Sequence, residues 1–158
     1  MTKEKILEFT LRISSANKTE MIVILYDIAL EYIQDAKDHL EKGELALARE
    51  EMDKLRGTMN ELMNSVNASN AIGENLIKLY VFCNKEITNA YIKGEAINLD
   101  VVEKILSELR ASYYEISSMD MSKPVMEHAE VIYSGFTYNR KMQGDSFSNR
   151  EINRGFLV

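Results

Sequence analysis

A helix that faces a single core needs an apolar stripe only about 100° wide, and the run from Glu20 to Leu30 exceeds that by far. Leu25, Ala29, Tyr32 and Ala36 fall on one such stripe, while Ile22, Ile24, Ile28 and Ile33 spread apolar surface well beyond it. A helix of this kind must be covered from several sides, by neighbouring helices or by a partner. A second run, Asn75-Leu76-Ile77-Lys78-Leu79-Tyr80, repeats the Leu-Tyr pair of Leu25-Tyr26.

The rest of the chain extends this helical pattern. Its 158 residues suffice for one domain with a sizeable core. Pro124 is the single proline, and the body lacks the turn clusters that space short strands. The first helix is predicted from Lys18 to Lys42, with Asn17 as N-cap, Glu20 completing a capping box and Gly43 ending it. The second is predicted from Glu44 to Val66. Its Ala48, Met52, Leu55, Met59, Leu62 and Val66 alternate four and three residues apart, a heptad pattern interrupted by the helix-weakening Gly57.

A third helix is predicted from Ala71 to Lys93, its core line Leu76, Leu79/Tyr80, Cys83, Ile87 and Ala90, and a stop at Gly94. The fourth starts near Asn98, read as another cap, and carries Val102, Ile105, Leu109, Tyr113 and Ile116. Short links make neighbours antiparallel. The expected fold is therefore all-α, an antiparallel up-down four-helix bundle. A short extra helix is expected from Pro124 to Ile132. Residues 1–132 are read as the helical-bundle domain with an N-terminal arm, and 133–158 as a C-terminal tail with aromatic residues at Tyr133, Phe136, Tyr138, Phe147 and Phe156.

Charge and motif content narrow the function. Residues 18–131 hold 12 Lys/Arg against 21 Asp/Glu, and so acidic a body repels a phosphate backbone, which argues against nucleic acid. One cysteine permits no intrachain disulfide, and the opening residues Met1-Thr2-Lys3-Glu4-Lys5 carry no signal-peptide core. No apolar run approaches the roughly 18 residues that span a bilayer. The expected location is the cytoplasm.

Enzyme signals are weak throughout. Neither His39 nor His128 has a Glu three residues before it, and there is no cysteine pair for zinc, phosphate loop or nucleophile elbow. No catalytic residue, metal or cofactor is expected. His39 reads as a partly exposed residue near a helix end, and Cys83 as a buried structural thiol. Asp27, the lone acid between Met21 and Leu30, has two readings: a charge pointing to solvent, or an anchor for a partner's backbone or a tyrosine hydroxyl. Tyr26 and Tyr80 read as core residues whose polar tips need a partner. Met52, Met59 and Met63 read either as gap-filling core or as a soft groove for apolar helices.

The segments, taken in order, resemble the flagellin export chaperones of the FliS family. The resemblance rests on Leu25-Tyr26-Asp27 with Ala29, Asn75-Leu76 with Leu79-Tyr80, Ala90-Tyr91-Ile92-Lys93, and Leu109-Arg110-Ala111-Ser112-Tyr113, over about residues 13–116. The chain differs from the common pattern at Lys18, Ile28, Tyr91 and Tyr113, and has Phe9 where an arm tyrosine is usual one residue earlier.

The resemblance implies a cytoplasmic, non-enzymatic chaperone. It would bind the disordered C-terminal segment of flagellin, prevent premature polymerisation and aid delivery to the flagellar secretion apparatus, whose components are further partners. The expected partner-binding residues are Ile22, Leu25, Tyr26, Asp27, Met52, Met59, Leu76, Leu79 and Tyr80. Ile6, Leu7, Phe9 and Leu11 are expected to form an arm over that groove when no client is bound. The expected oligomeric state is a monomer or a weak homodimer. The competing reading is a self-associating structural bundle without a flagellin client.

Overall fold

Asn17 opens a helix as its spacing predicts. Its side-chain oxygen accepts the Glu20 N–H at 2.8 Å, and the Glu20 carboxylate accepts the Asn17 N–H at 2.8 Å. Such a reciprocal cap contributes on the order of 1 kcal/mol. A computed structural model describes residues 1–126. Within them the helices are α1 (Lys3–Ser15), α2 (Lys18–Glu41), α3 (Leu45–Asn64), α4 (Ala71–Lys93) and α5 (Leu99–Ser117), with no strand among the described residues. Gly43 and Gly94 take the left-handed conformation, at φ 73° and 68°, where α2 and α4 stop.

The N-terminal arm is itself helical. Thr2 caps α1 by accepting the Lys5 N–H at 3.3 Å. Two further expectations change. Asn98 precedes α5 in a left-handed conformation and makes no side-chain cap; its amide instead donates to the buried Glu86 at 2.6 Å, satisfying that carboxylate. The helix expected to start at Pro124 has not begun by Met126; there the Val125 N–H donates to the Ala16 carbonyl at 2.9 Å, which holds the segment after α5 against the α1–α2 link. The remainder of that helix to Ile132, the boundary at 132 and the tail 133–158 lie outside the described residues.

α2 packs most extensively against α3 and α5; α4 closes the arrangement by packing on α3 and α5. Cross-helix pairs fix direction. Lys37, late in α2, reaches Asp100 at 2.5 Å and Glu103 at 2.9 Å at the start of α5. Thr19, early in α2, donates to Asp120 at 2.5 Å just after α5, so the two helices run in opposite directions. Arg49 near the start of α3 donates to the Tyr91 carbonyl at 3.2 Å near the end of α4.

The core follows the heptad of α3: Ala48, Met52, Leu55, Met59 and Leu62 are fully buried, with Val66 at its partly covered edge. From α2 come Ile22, Tyr26, Ala29, Ile33 and Ala36. The central stripe of α2 therefore lies one residue round from the Leu25–Tyr32 line, both of which are only partly buried. α4 supplies Leu76, Tyr80, Cys83, Ile87 and Ala90, and α5 supplies Leu99, Val102 and Leu106. Ile116, expected on the α5 core line, is exposed because the core ends before that turn. Each fully buried large side chain contributes about 1.5–3 kcal/mol.

Candidate partner-binding surface

α2 carries two apolar faces. At about 100° per residue, Ile24 lies about 200° round the helix from Ile22, so the two point in nearly opposite directions. Ile22 joins the main core. Ile24 joins a second cluster with Phe9 and Ala16, against which Met1, Ile13, Met21 and Ile28 pack. The all-round apolarity of the Glu20–Leu30 run thus has a structural cause: α3 and α5 cover one side and α1 covers the other. α1 packs on α2 and on no other helix among the described residues.

Phe9 is 7% exposed, and Leu11 is partly buried. Ile6 and Leu7, expected in the cover, are 52% and 42% exposed. Once the arm is helical, Leu7 falls about 160° from Phe9 and turns away from α2. Ile13, one turn after Phe9, packs on the second cluster instead.

Charge reinforces this contact. Arg12 donates to Asp27 Oδ2 at 2.5 Å, and Arg110 of α5 donates to Asp27 Oδ1 at 2.8 Å. Asp27 therefore neither points freely to solvent nor contacts a tyrosine hydroxyl; it ties α1, α2 and α5 together. Lys5 pairs with Glu31, whose hydrogen bond raises the lysine pKa. The Met1 ammonium lies 2.5 Å from Asp35. Arg110 also lies over the Tyr114 ring at 5.2 Å.

Most of the residues expected to touch a partner are core. Tyr26, Met52 and Met59 are fully buried, Tyr80 nearly so, and Ile22 and Leu76 retain only a trace of exposure. Their surfaces are taken up by neighbouring helices, so the methionine face of α3 is interior packing and offers no open groove. Leu25 is partly buried, and Leu79 is 39% exposed. The Tyr26 and Tyr80 hydroxyls hydrogen-bond to each other, and Tyr113 stacks obliquely on Tyr26 with centroids 5.6 Å apart. Burial raises the pKa of Tyr26 and pushes Tyr80 up to about 12. It also pushes the Cys83 thiol up to about 11, keeping it protonated and unreactive near neutrality.

Surface outside α1 is also apolar in places. Ile72, Leu79, Val81, Phe82 and Ile92 of α4 are exposed. A cavity of about 260 Å³ opens at the α1–α2 link, between Arg12, Ala16, Glu20, Val23, Ile24 and Tyr114. Beside the link, Asp120 accepts from the Thr19 hydroxyl, which lowers its pKa, and the Asp120 carbonyl accepts the Asn17 amide at 3.0 Å. Among the described residues no cluster of His, Cys, Asp or Glu could hold a metal ion, and no helix is long and apolar enough to cross a membrane.

Ile24 and Ile28, singled out by the sequence as apolar surface beyond one stripe, do lie on this surface, whereas sequence reasoning missed Arg12, Ile13, Met21 and Arg110. A usable signal was present: Asp27, Glu31 and Asp35 recur every fourth residue beside Ile24 and Ile28. The chain matches the family described as flagellar protein FliS over residues 8–120. No curated protein matches it.

Proposed function

Because this chain belongs to the flagellar protein FliS family, we propose that it is a cytoplasmic export chaperone without enzymatic activity. It binds the disordered C-terminal segment of flagellin, prevents premature polymerisation and aids delivery to the flagellar secretion apparatus. Its scaffold is the antiparallel up-down four-helix bundle α2–α5, with α1 as a cover that the client displaces.

The observation that carries this reading is that, among the described residues, an apolar face of α2 (Met21, Ile24 and Ile28) is sealed by a helix that packs on no other helix and is joined to α2 by a two-residue link, Ala16-Asn17. A face covered this way can exchange its own helix for a foreign one of similar shape. Each well-buried aliphatic anchor of the client contributes about 1.5–3 kcal/mol, whereas ordering a disordered segment costs about 2–5 kcal/mol or more. Several anchors are needed. The exposed α4 residues Leu79, Phe82 and Ile72 supply a second contact area beyond α2. Ile22, Tyr26, Met52, Met59, Leu76 and Tyr80 act from beneath by fixing the helices that present these faces; Leu25 and Asp27 lie at the rim.

The same α4 surface supports one rival, a homodimer with no client. Light scattering after size-exclusion chromatography, with and without a flagellin C-terminal segment, separates the two. The reading predicts a one-to-one or similar complex with the segment; a stable dimer indifferent to it contradicts the reading.

A further inference from the structure

The N-terminal segment meets α2 as a charge ladder running in reverse order. The Met1 ammonium sits on Asp35, Lys5 on Glu31 and Arg12 on Asp27. The three acids share one flank of α2 at four-residue spacing, and Ile24 and Ile28 run alongside them. α2 as a whole carries six acids against Lys18 and Lys37. Among the described residues the other cation on Asp27 is Arg110, which is committed to the second carboxylate oxygen.

We propose that this face of α2 selects a basic amphipathic helix from the partner protein, seated as α1 is now. Such a helix places an aromatic or aliphatic residue where Phe9 sits, a cation three residues later facing Asp27, and an aliphatic residue directly after it where Ile13 sits. The proposal rests on the reading of α1 as a displaceable cover, and names the chemistry of what displaces it. An acidic occupant would bring like charge against Asp27 and Glu31 in a strip partly shielded from water, where screening by salt is weak. Apolar fit admits many helices; the ladder rejects those of the wrong sign.

The test uses the full chain carrying Arg12→Glu, which loosens the native cover, and two fluorescent designed helical peptides of the length of α1. The peptides share every apolar position and differ only in a lysine/arginine or a glutamate flank. By anisotropy the basic peptide binds at least about tenfold more tightly. Adding Glu31→Gln, or Asp27→Asn, narrows that gap, with folding of each variant checked by thermal melting. Glu31 pairs with Lys5 and, among the described residues, has no ion pair with α5, so its variant keeps the test decisive if Asp27→Asn does not fold. Equal binding, preference for the acidic peptide, no binding of either, or a gap that Glu31→Gln leaves unchanged overturns the proposal. A flagellin C-terminal segment is measured in parallel. If it binds while the peptides show no charge preference, the ladder alone fails; if it does not bind while the basic peptide does, the flagellin reading fails and the ladder stands.

Discussion

The hydroxyls of Tyr26 and Tyr80 hydrogen-bond to each other inside the core, and neither has another hydrogen-bond partner among the described residues. Each tyrosine is the second member of a Leu-Tyr pair, so the repeated pair marks the place where α2 and α4 are joined by a buried polar contact. Tyr26→Phe or Tyr80→Phe alone strands the remaining hydroxyl without water, at a cost of about 1–3 kcal/mol. The double variant removes both polar groups and costs less than the sum of the singles. Urea denaturation of the four proteins measures this coupling; strict additivity counts against it.

Burial also sets the response to alkali. Cys83 and Tyr80 hold their protons up to about 11 and about 12 in the fold, above ordinary values of 9.0 and 10.0, and Tyr26 shifts in the same direction. In the unfolded chain these groups ionise at the lower values, so above them the unfolded state binds fewer protons than the native one. Their contribution to stability is full below about pH 9 and declines as pH rises through the folded values. The melting temperature is expected to fall between pH 9 and 11, and the slope of that fall to be shallower in Cys83→Ala and in Tyr80→Phe. Parallel slopes in wild type and both variants would mean that other groups govern the decline.

Two glycines give opposite expectations. Gly57 sits in the exposed middle of α3, with nothing within 4 Å of where a methyl would be, so Gly57→Ala stabilises by about 0.5–1 kcal/mol. A Cβ at Gly73, in the first turn of α4, would collide with the Asn67 carbonyl and approach Val66 Cγ1 to 3.3 Å. Gly73→Ala is therefore destabilising, by about 1–3 kcal/mol. Thermal melts of the two variants should move in opposite directions.

Helix limits were legible wherever the signal is local. Asn17 with Glu20, Gly43 and Gly94 each act within one turn of chain, and the α3 heptad states its own buried face. The binding surface was not, because an apolar residue on α2 reads the same whether α3 or α1 covers it. Ile22 and Ile24 differ by only two positions and end in separate clusters. In sequence alone, Tyr26 and the methionines of α3 are candidate contact residues for the same reason: composition does not distinguish lining from support. Asp27 escaped assignment because its two arginines lie 15 residues before it and 83 after it.

Hydrogen exchange of the full chain follows the replacement of α1 by a client segment. Amides of residues 6–15 are followed alone and with a saturating flagellin C-terminal segment. On binding, these amides lose protection while those of α2 keep or gain it. Saturated binding with α1 protection unchanged would contradict that replacement.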